Sequence, residues 1–302
     1  MNEPTIESLH KGMLFLLASA FCFALVNVGI RMSGDLPFLE KCFFRNIVAL
    51  FVAYIMLRRK GISLSPALFK PNFWLLLVRA STGTLGMICN FYAVDHLLLG
   101  DASMLAKMSP FFAVLFSAWF LREKVRLSQI LCVLGAFFGS LFIIKPSFSN
   151  LLFTPSVVGF IGGIGSGAAY TTLRSLGRRG EKGVVIVFFF SLVSTLVTLP
   201  SIIFAYVSMD LVQLGWLLCT GIMAALGQFS VTAAYKYAPA NKISVYDYSN
   251  VLFSALFGFL VFSQIPDRYS ILGYLIVFGM GFCMFLINKK NQPQAGLSPQ
   301  NI

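Results

Sequence analysis

Charge is what this sequence has least of. Only 11% of its 302 residues are charged, against about a quarter in an ordinary soluble domain. Long polar stretches are scarce as well, the longest being the two termini and about a dozen residues around Arg58 to Pro71. That leaves no room for a separate soluble domain. No Walker-type phosphate loop, zinc-helix motif or nucleophile elbow occurs. An attached ATPase is therefore not expected, and any transport must draw on a gradient. Histidine occurs twice, at His10 and His96. His96 and Asp101 make an H-x4-D spacing, but it falls in a tight turn with nothing beside it to hold an acyl donor, so it reads as chance. Neither an enzyme nor a cofactor is expected. The six cysteines (Cys22, Cys42, Cys89, Cys132, Cys219 and Cys283) show no metal or redox spacing. Lying in or at the edges of apolar segments, they read as small apolar packing residues.

Apolar residues are abundant, at 58% of the chain. They gather in ten runs, near 11–33, 38–57, 73–95, 100–121, 127–145, 156–174, 183–207, 212–236, 241–263 and 270–288, each near the ~20 residues a membrane helix needs. The fold class this predicts is an all-α integral membrane protein with ten transmembrane helices. Glu3 and Glu7 with a single Lys11 make a poor signal peptide, so the first run is expected to stay as an uncleaved span. A net charge of +12 would suggest nucleic acid for a soluble protein. Here the basic residues sit in loops on one side, so the expected partners are the lipid bilayer and a small molecule, not nucleic acid. With the N-terminus inside, 16 basic residues fall on the cytoplasmic side and 4 (Arg31, Lys41, Lys145, Arg268) outside. The positive-inside rule then places both termini in the cytoplasm, for a multi-pass protein of the inner membrane. The polar tail Lys289 to Ile302 is expected to be disordered.

The two halves are alike. Met104, Pro110, Glu123 and Cys132 match Val245, Val251, Gln264 and Gly273 at an offset of 141, as Gly86 matches Gly227 and Ala93 matches Ala234. Nearer the start, Gly12, Ser19 and Arg31 match Gly159, Ser166 and Arg178 at an offset of 147. Five spans per half is an odd number, so the repeats are expected to be inverted across the membrane, an arrangement that alternating access exploits. Span six carries Gly159, Gly163 and Gly167 at i, i+4 spacing, and span five carries Gly135 and Gly139. Such stripes suit close helix packing, or a surface on which helices rock. Pro110 inside span four removes a backbone hydrogen bond and can bend the helix.

Ala102 to Lys124, ASMLAKMSPFFAVLFSAWFLREK, is similar to the fourth-helix signature of the drug/metabolite transporter superfamily, EamA branch. Pro110 lies 13 residues before the acidic Glu123, as in that signature. Phe43-Phe44-Arg45, and Val78-Arg79 followed by Gly83 and Gly86, also fit, and the likeness runs along essentially the whole chain. The resemblance implies an EamA repeat over residues 1–150 (helices 1–5), a second over 151–288 (helices 6–10), and the tail 289–302. Members of this branch carry amino acids, nucleotide-sugar-like compounds, organic anions or S-adenosylmethionine-like metabolites. The Arg45 and Arg79 pattern looks nearest to the organic-anion and S-adenosylmethionine carriers. Gln264 stands where an acidic residue is usual, so the resemblance does not imply symmetric roles for it and Glu123.

Charges inside spans cost about 2.5–3.5 kcal/mol each on insertion scales, which makes them candidate sites. Four occur: Arg45, Arg79, Lys107 and Asp247. At a rise of 1.5 Å per residue, Arg45 and Lys107 fall roughly 10 Å from the outer face, and Arg79 and Asp247 roughly 10 Å from the inner one. Arg79 and Asp247 are therefore expected to pair, leaving Arg45 and Lys107 as an uncompensated positive cluster for an anionic substrate group. Asp247 serves as that pairing partner or as a carrier of a coupling proton or ion. Asn27, Asn90, Tyr170, Tyr246, Tyr248 and Asn250 are candidate orienting groups, the Tyr and Asn residues a cavity uses to hold a polar ligand. The expected activity is secondary active transport of a small polar, carboxylate-bearing metabolite, with an S-adenosylmethionine-like or amino-acid-type cargo as the alternative. A membrane-embedded acyltransferase or a non-transporting receptor stands outside transport. A monomer and a homodimer both remain open.

Overall fold

The computed structural model describes residues 6–62, 72–120, 126–145, 152–237 and 244–290. These are helical throughout, joined by short turns: α1 (Ile6–Met32), α2 (Phe38–Arg59), α3 (Phe73–His96), α4 (Leu99–Ala106), α5 (Ser109–Phe120), α6 (Leu127–Ile144), α7 (Phe153–Arg178), α8 (Gly183–Phe204), α9 (Leu211–Tyr237), a 3₁₀ segment (Ser244–Tyr248), α10 (Ser249–Phe262) and α11 (Arg268–Lys290). Among the described residues six stretches are long and apolar enough to cross a membrane: Glu7–Met32, Leu99–Phe120, Leu127–Ile144, Gly183–Phe204, Leu211–Val231 and Arg268–Ile287. The outer surface is rich in large apolar side chains, among them Phe204, Leu211, Leu252 and Leu275, which lipid accepts and water does not. The exposed Trp74 and Trp119 stand near helix ends, the level at which Trp anchors a membrane helix. The chain is an all-α, multi-pass membrane protein.

The apolar runs and the helices agree in order, with a few differences, among them the ninth run, which opens as the 3₁₀ segment before α10. α1 begins at Ile6 rather than residue 11, because Glu7 and Lys11 pair at i, i+4, 2.6 Å apart, and carry the helix outward. The fourth run divides into α4 and α5 at Lys107–Met108. α11 continues to Lys290, two residues into the expected tail. The rest of that tail, Glu123 and the boundary at 150–151 lie outside the described residues. Helices α2 and α7 both stop at a glycine in the left-handed region, Gly61 (φ +60°) and Gly180 (φ +73°). The amide after each bonds back five residues, Ile62 to Leu57 and Glu181 to Leu176, satisfying carbonyls that the helix end leaves free.

Packing repeats between the halves. α1 lies along α9 as α3 lies along α7, and α10 rests on α1 as α4 and α5 rest on α7. α2 packs on α8 and α6 on α11, so helices from opposite halves meet throughout. Matched residues occupy matched contacts. Ser19 Oγ donates to the Gly227 carbonyl at 2.8 Å. Its counterpart Ser166 lies against Gly86, where an added Cβ would come within 2.5 Å of Ser166 Oγ.

At one end of the bundle every turn is tied to another. Lys41 bridges to Asp95 at 2.7 Å, with Lys41 only 2% exposed. Arg31 donates to the Val94 and Leu97 carbonyls at the end of α3. Gln264 Oε1 accepts from the Leu99 amide at 3.0 Å and so caps the first turn of α4. Tyr274 donates to Asp101 at 2.7 Å, Lys145 pairs with Asp267 at 2.7 Å, and the Val207 amide donates to Glu40 at 3.2 Å.

Candidate functional site

Two helix interruptions at matching places in the halves build the centre of the molecule. In the first half α4 ends at Ala106, Lys107 and Met108 form a tight turn, and α5 restarts at Ser109 with Pro110 in its first turn. Proline is tolerated there because a first-turn amide has no intrahelical acceptor, whereas deeper in a helix its ring clashes with the preceding turn. The Lys107 amide bonds the Met104 carbonyl at 3.0 Å, a tightened 3₁₀ contact. In the second half the 3₁₀ segment Ser244–Tyr248 gives way to α10 without any proline, Val251 standing at the position of Pro110. The Ser249 hydroxyl donates to the Tyr246 carbonyl at 2.5 Å and satisfies it at the junction.

Lys107 and Asp247 project from these two interruptions and meet, Nζ to Oδ2, at 2.6 Å. They are 13% and 27% exposed, so the pair is interior yet reachable. This replaces the expected pairing of Asp247 with Arg79. The depth estimate assumed straight helices with a uniform rise. Interrupting both segments changes the rise and direction on either side of each charge, and the long lysine stem covers the remaining gap. The glycine stripe of α7 sets the approach. A Cβ at Gly163 would come within 2.8 Å of the Leu105 carbonyl, and one at Gly167 within 2.9 Å of the Ser109 carbonyl. Thr171, one turn on, donates to the Ala113 carbonyl at 3.2 Å.

Arg45 on α2 and Arg79 on α3, not Lys107, are the charges left without a counter-charge. Both are buried, 7% and 8% exposed, and both guanidiniums face the Phe190 ring on α8, 5.8 and 5.0 Å from its centroid. Cation–π contact offsets only part of the cost of desolvating them. Arg45 Nη1 donates to Asn46 Oδ1 at 2.6 Å and touches Met87 Sδ. Arg45 Nε, Arg79 Nε and Arg79 Nη1 have no protein acceptor. Gly83 makes room for Arg79, since a Cβ there would fall 2.2 Å from Nη1. Among the described residues no carboxylate lies within ion-pair reach of either arginine.

The other candidates separate into two groups. Tyr170 is 48% exposed in mid-helix on α7. Asn90 is half-buried on α3, its backbone beside Gly162. The rest hold helices together. Asn27 donates to Ser103 at 3.0 Å and Ser254 at 3.3 Å, touching both interrupted segments from α1. Asn250 donates to the Ala20 carbonyl at 2.9 Å, and Tyr246 packs beside Leu16 and Ala234. Tyr248 is buried edge-on to Phe278, with Gly281 leaving space for its hydroxyl. Phe190 carries no local signal in the sequence, being one phenylalanine within an apolar run. Gly83, four residues after Arg79, was the one available hint.

Among the described residues there is no group of three or more His, Cys, Asp or Glu that could hold a metal ion. Residues 10–145 match the model of the EamA-like transporter family. The chain is 34% identical over 274 residues to a pseudopaline exporter, CntI, of Pseudomonas aeruginosa, covering 90% of this chain and 95% of that protein. A riboflavin transporter of Brucella anthropi is 26% identical over 83% of this chain and 90% of its own length. A crystal structure covering 92% of this chain and 98% of its own superposes with a TM-score of 0.63 at 16% identity, a likeness of fold. With that family match and that relative, the chain belongs to the EamA-like drug/metabolite transporter superfamily, as a membrane transporter of small molecules and not an enzyme.

Proposed function

We propose that this transporter is a secondary carrier of ten spans, arranged as two inverted five-helix repeats, with both termini on the cytoplasmic side of the inner membrane. Its cargo is a small polar metabolite bearing a carboxylate, moved by alternating access. The observation that carries the cargo reading is the pair of buried arginines, Arg45 and Arg79, with no carboxylate beside them. A buried cation without a partner costs several kcal/mol, and a substrate anion can supply the missing charge. A carboxylate suits the planar donor fork of a guanidinium. In this reading Tyr170, 48% exposed on α7, orients the remainder of the solute. The cargoes in the names of the relatives, pseudopaline and riboflavin, are consistent with a small organic solute here.

Several features support the repeat reading. Ser19 against Gly227 mirrors Ser166 against Gly86, and helix interruptions at matching places mark the substrate site in inverted-repeat transporters. Turns are tied at the end that the charge rule assigns to the outside, and at the other end Asn72 bonds Arg179 and Glu181. Lys107 and Asp247 keep some exposure within the bundle, and in this reading separating them accompanies the switch. Asp247, freed from Lys107, is then the candidate to take up a coupling proton.

Solute flux into proteoliposomes tests the proposal. Wild-type protein should carry carboxylate-bearing solutes in preference to neutral isosteres. Arg79→Gln should abolish that flux while the protein still inserts, and Arg79→Lys should retain part of it. Full flux by Arg79→Gln, or equal flux of the neutral isosteres, would refute the carboxylate assignment.

A further inference from the structure

On the outside of the bundle, α2 and α8 leave an apolar groove between them, lined by Ile47, Leu50, Phe51 and Tyr54 of α2 and Phe188 of α8. It holds about 350 Å³, within the range of ligand pockets. Ile47, Leu50, Phe51 and Tyr54 stand at i, i+3, i+4 and i+7, a single stripe of the helix. Ile47, Phe51 and Tyr54 are exposed, so the stripe faces away from the core. Arg58 continues it one turn beyond Tyr54, and its guanidinium lies over the Tyr54 ring, 6.0 Å from the centroid. Arg59 and Lys60 follow at the end of α2, and Lys182 stands at the start of α8, all exposed. Tyr54 and Phe188 lie equally far from those helix ends, so the basic groups gather at one end of the groove. Among the described residues none of these four cations has a carboxylate within ion-pair reach.

Length and charge together identify the occupant. At a rise of 1.5 Å per residue, the stripe from Ile47 to Arg58 covers ~16 Å. That is half of the ~30 Å hydrocarbon core, the depth of one leaflet. An acyl chain lying along the stripe ends at the level of Arg58, where its headgroup meets the basic cluster. Unpaired Lys and Arg at that level favour an anionic headgroup, and Tyr54 stands where aromatic residues meet the membrane surface. A second copy of the chain fits less well. A twofold axis along the membrane normal would bring Arg58, Arg59 and Lys60 of both copies to one level, like charge beside like charge. We propose that the groove between α2 and α8 is a binding site for an anionic phospholipid, with an acyl chain along residues 47–54 and the phosphate at Arg58 and Arg59. On the inner side of the same seam Arg45 of α2 faces Phe190 of α8, so a bound lipid braces the two helices that hold this contact. The site does not depend on which solute is carried.

Purified, delipidated protein in detergent tests the site. Thermal unfolding is followed with dioleoyl phosphatidylglycerol, with dioleoyl phosphatidylcholine, and with glycerol 3-phosphate, which has the phosphate but no chains. Phosphatidylglycerol should raise the midpoint saturably, by ~2–3 °C at ten times its dissociation constant. Phosphatidylcholine should raise it less, and glycerol 3-phosphate not at all. Arg58→Gln combined with Arg59→Gln should reduce the phosphatidylglycerol increment to that of phosphatidylcholine. Leu50→Trp, which fills the groove, should remove the preference as well. Lys289→Gln combined with Lys290→Gln, at the end of α11, should keep it. The arginine changes fall at exposed positions, so the comparison stands even if Leu50→Trp fails to fold. Phosphatidylglycerol with a photoreactive group on an acyl chain should label α2 within residues 47–54 or α8 at Phe188. Equal increments from the two lipids, an unchanged preference in the double arginine variant, a full increment from glycerol 3-phosphate, or label confined to other helices would each overturn the site. A two-chain particle that Leu50→Trp splits into single chains would assign the groove to a second copy and overturn it too.

Discussion

Breaking the Lys107–Asp247 pair probes the centre of the structure most directly. Lys107→Met leaves Asp247 without its 2.6 Å partner, and Asp247→Leu leaves the ammonium alone. Removing one member of a fully buried pair costs ~3–5 kcal/mol. Side-chain exposures of 13% and 27% allow water to compensate in part, so each single change should cost about 2 kcal/mol. At ~2–3 °C of midpoint per kcal/mol for a chain of this size, that is a fall of ~4–6 °C. The double variant replaces two charges with apolar groups of similar bulk and should recover most of the loss. The expected coupling energy is about 3 kcal/mol. Thermal unfolding of the four detergent-purified proteins measures it. A parallel cycle on Arg79→Gln and Asp247→Leu should give coupling below ~0.5 kcal/mol, the range of independent sites. Additive losses in the first cycle, or stronger coupling in the second, would refute the pairing.

Gly86→Ala places a Cβ 2.5 Å from Ser166 Oγ and 3.0 Å from its backbone nitrogen. It should destabilise by about 1–3 kcal/mol, while Gly215→Ala, with nothing within 4 Å, should be neutral; equal melting points for the two would show that α3 and α7 do not approach so closely. Asn27→Ala removes bonds to Ser103 and Ser254 and should cost ~1 kcal/mol, within the range measured for interhelical bonds in membranes; no change in unfolding midpoint would detach α1 from the interrupted helices. Ser263 ends α10 at φ +52°, so Ser263→Gly should raise stability by several tenths of a kcal/mol, and a loss in the same melting assay would show that its side chain matters more than its backbone.

Much of this architecture was legible in the sequence because membrane insertion is governed by composition over long windows. The ten apolar runs, the repeat offsets and the interruption near Pro110 all follow from residue type and spacing. Phe190 and the roles of Asn27 and Asn250 did not, since an interhelical partner leaves no local trace in either helix.

Sequence alone determined that the chain is a multi-pass helical membrane protein, that four charges lie within its apolar runs, and that Gly86 and Gly227 stand 141 residues apart in matching patterns. Those properties depend on hydropathy and periodicity, which are carried residue by residue. Which charge meets which was decided only in three dimensions. Linear depth along straight helices joined Asp247 to Arg79; the interrupted segment of the first half, seated on the glycine face of α7, and that of the second, packed on α1, instead bring Lys107 to Asp247 and leave Arg45 and Arg79 sharing Phe190. The physical reason is that a pair forms only where both side chains arrive at one point, and their direction is set by helix bends and neighbouring surfaces that a one-dimensional reading of depth does not contain.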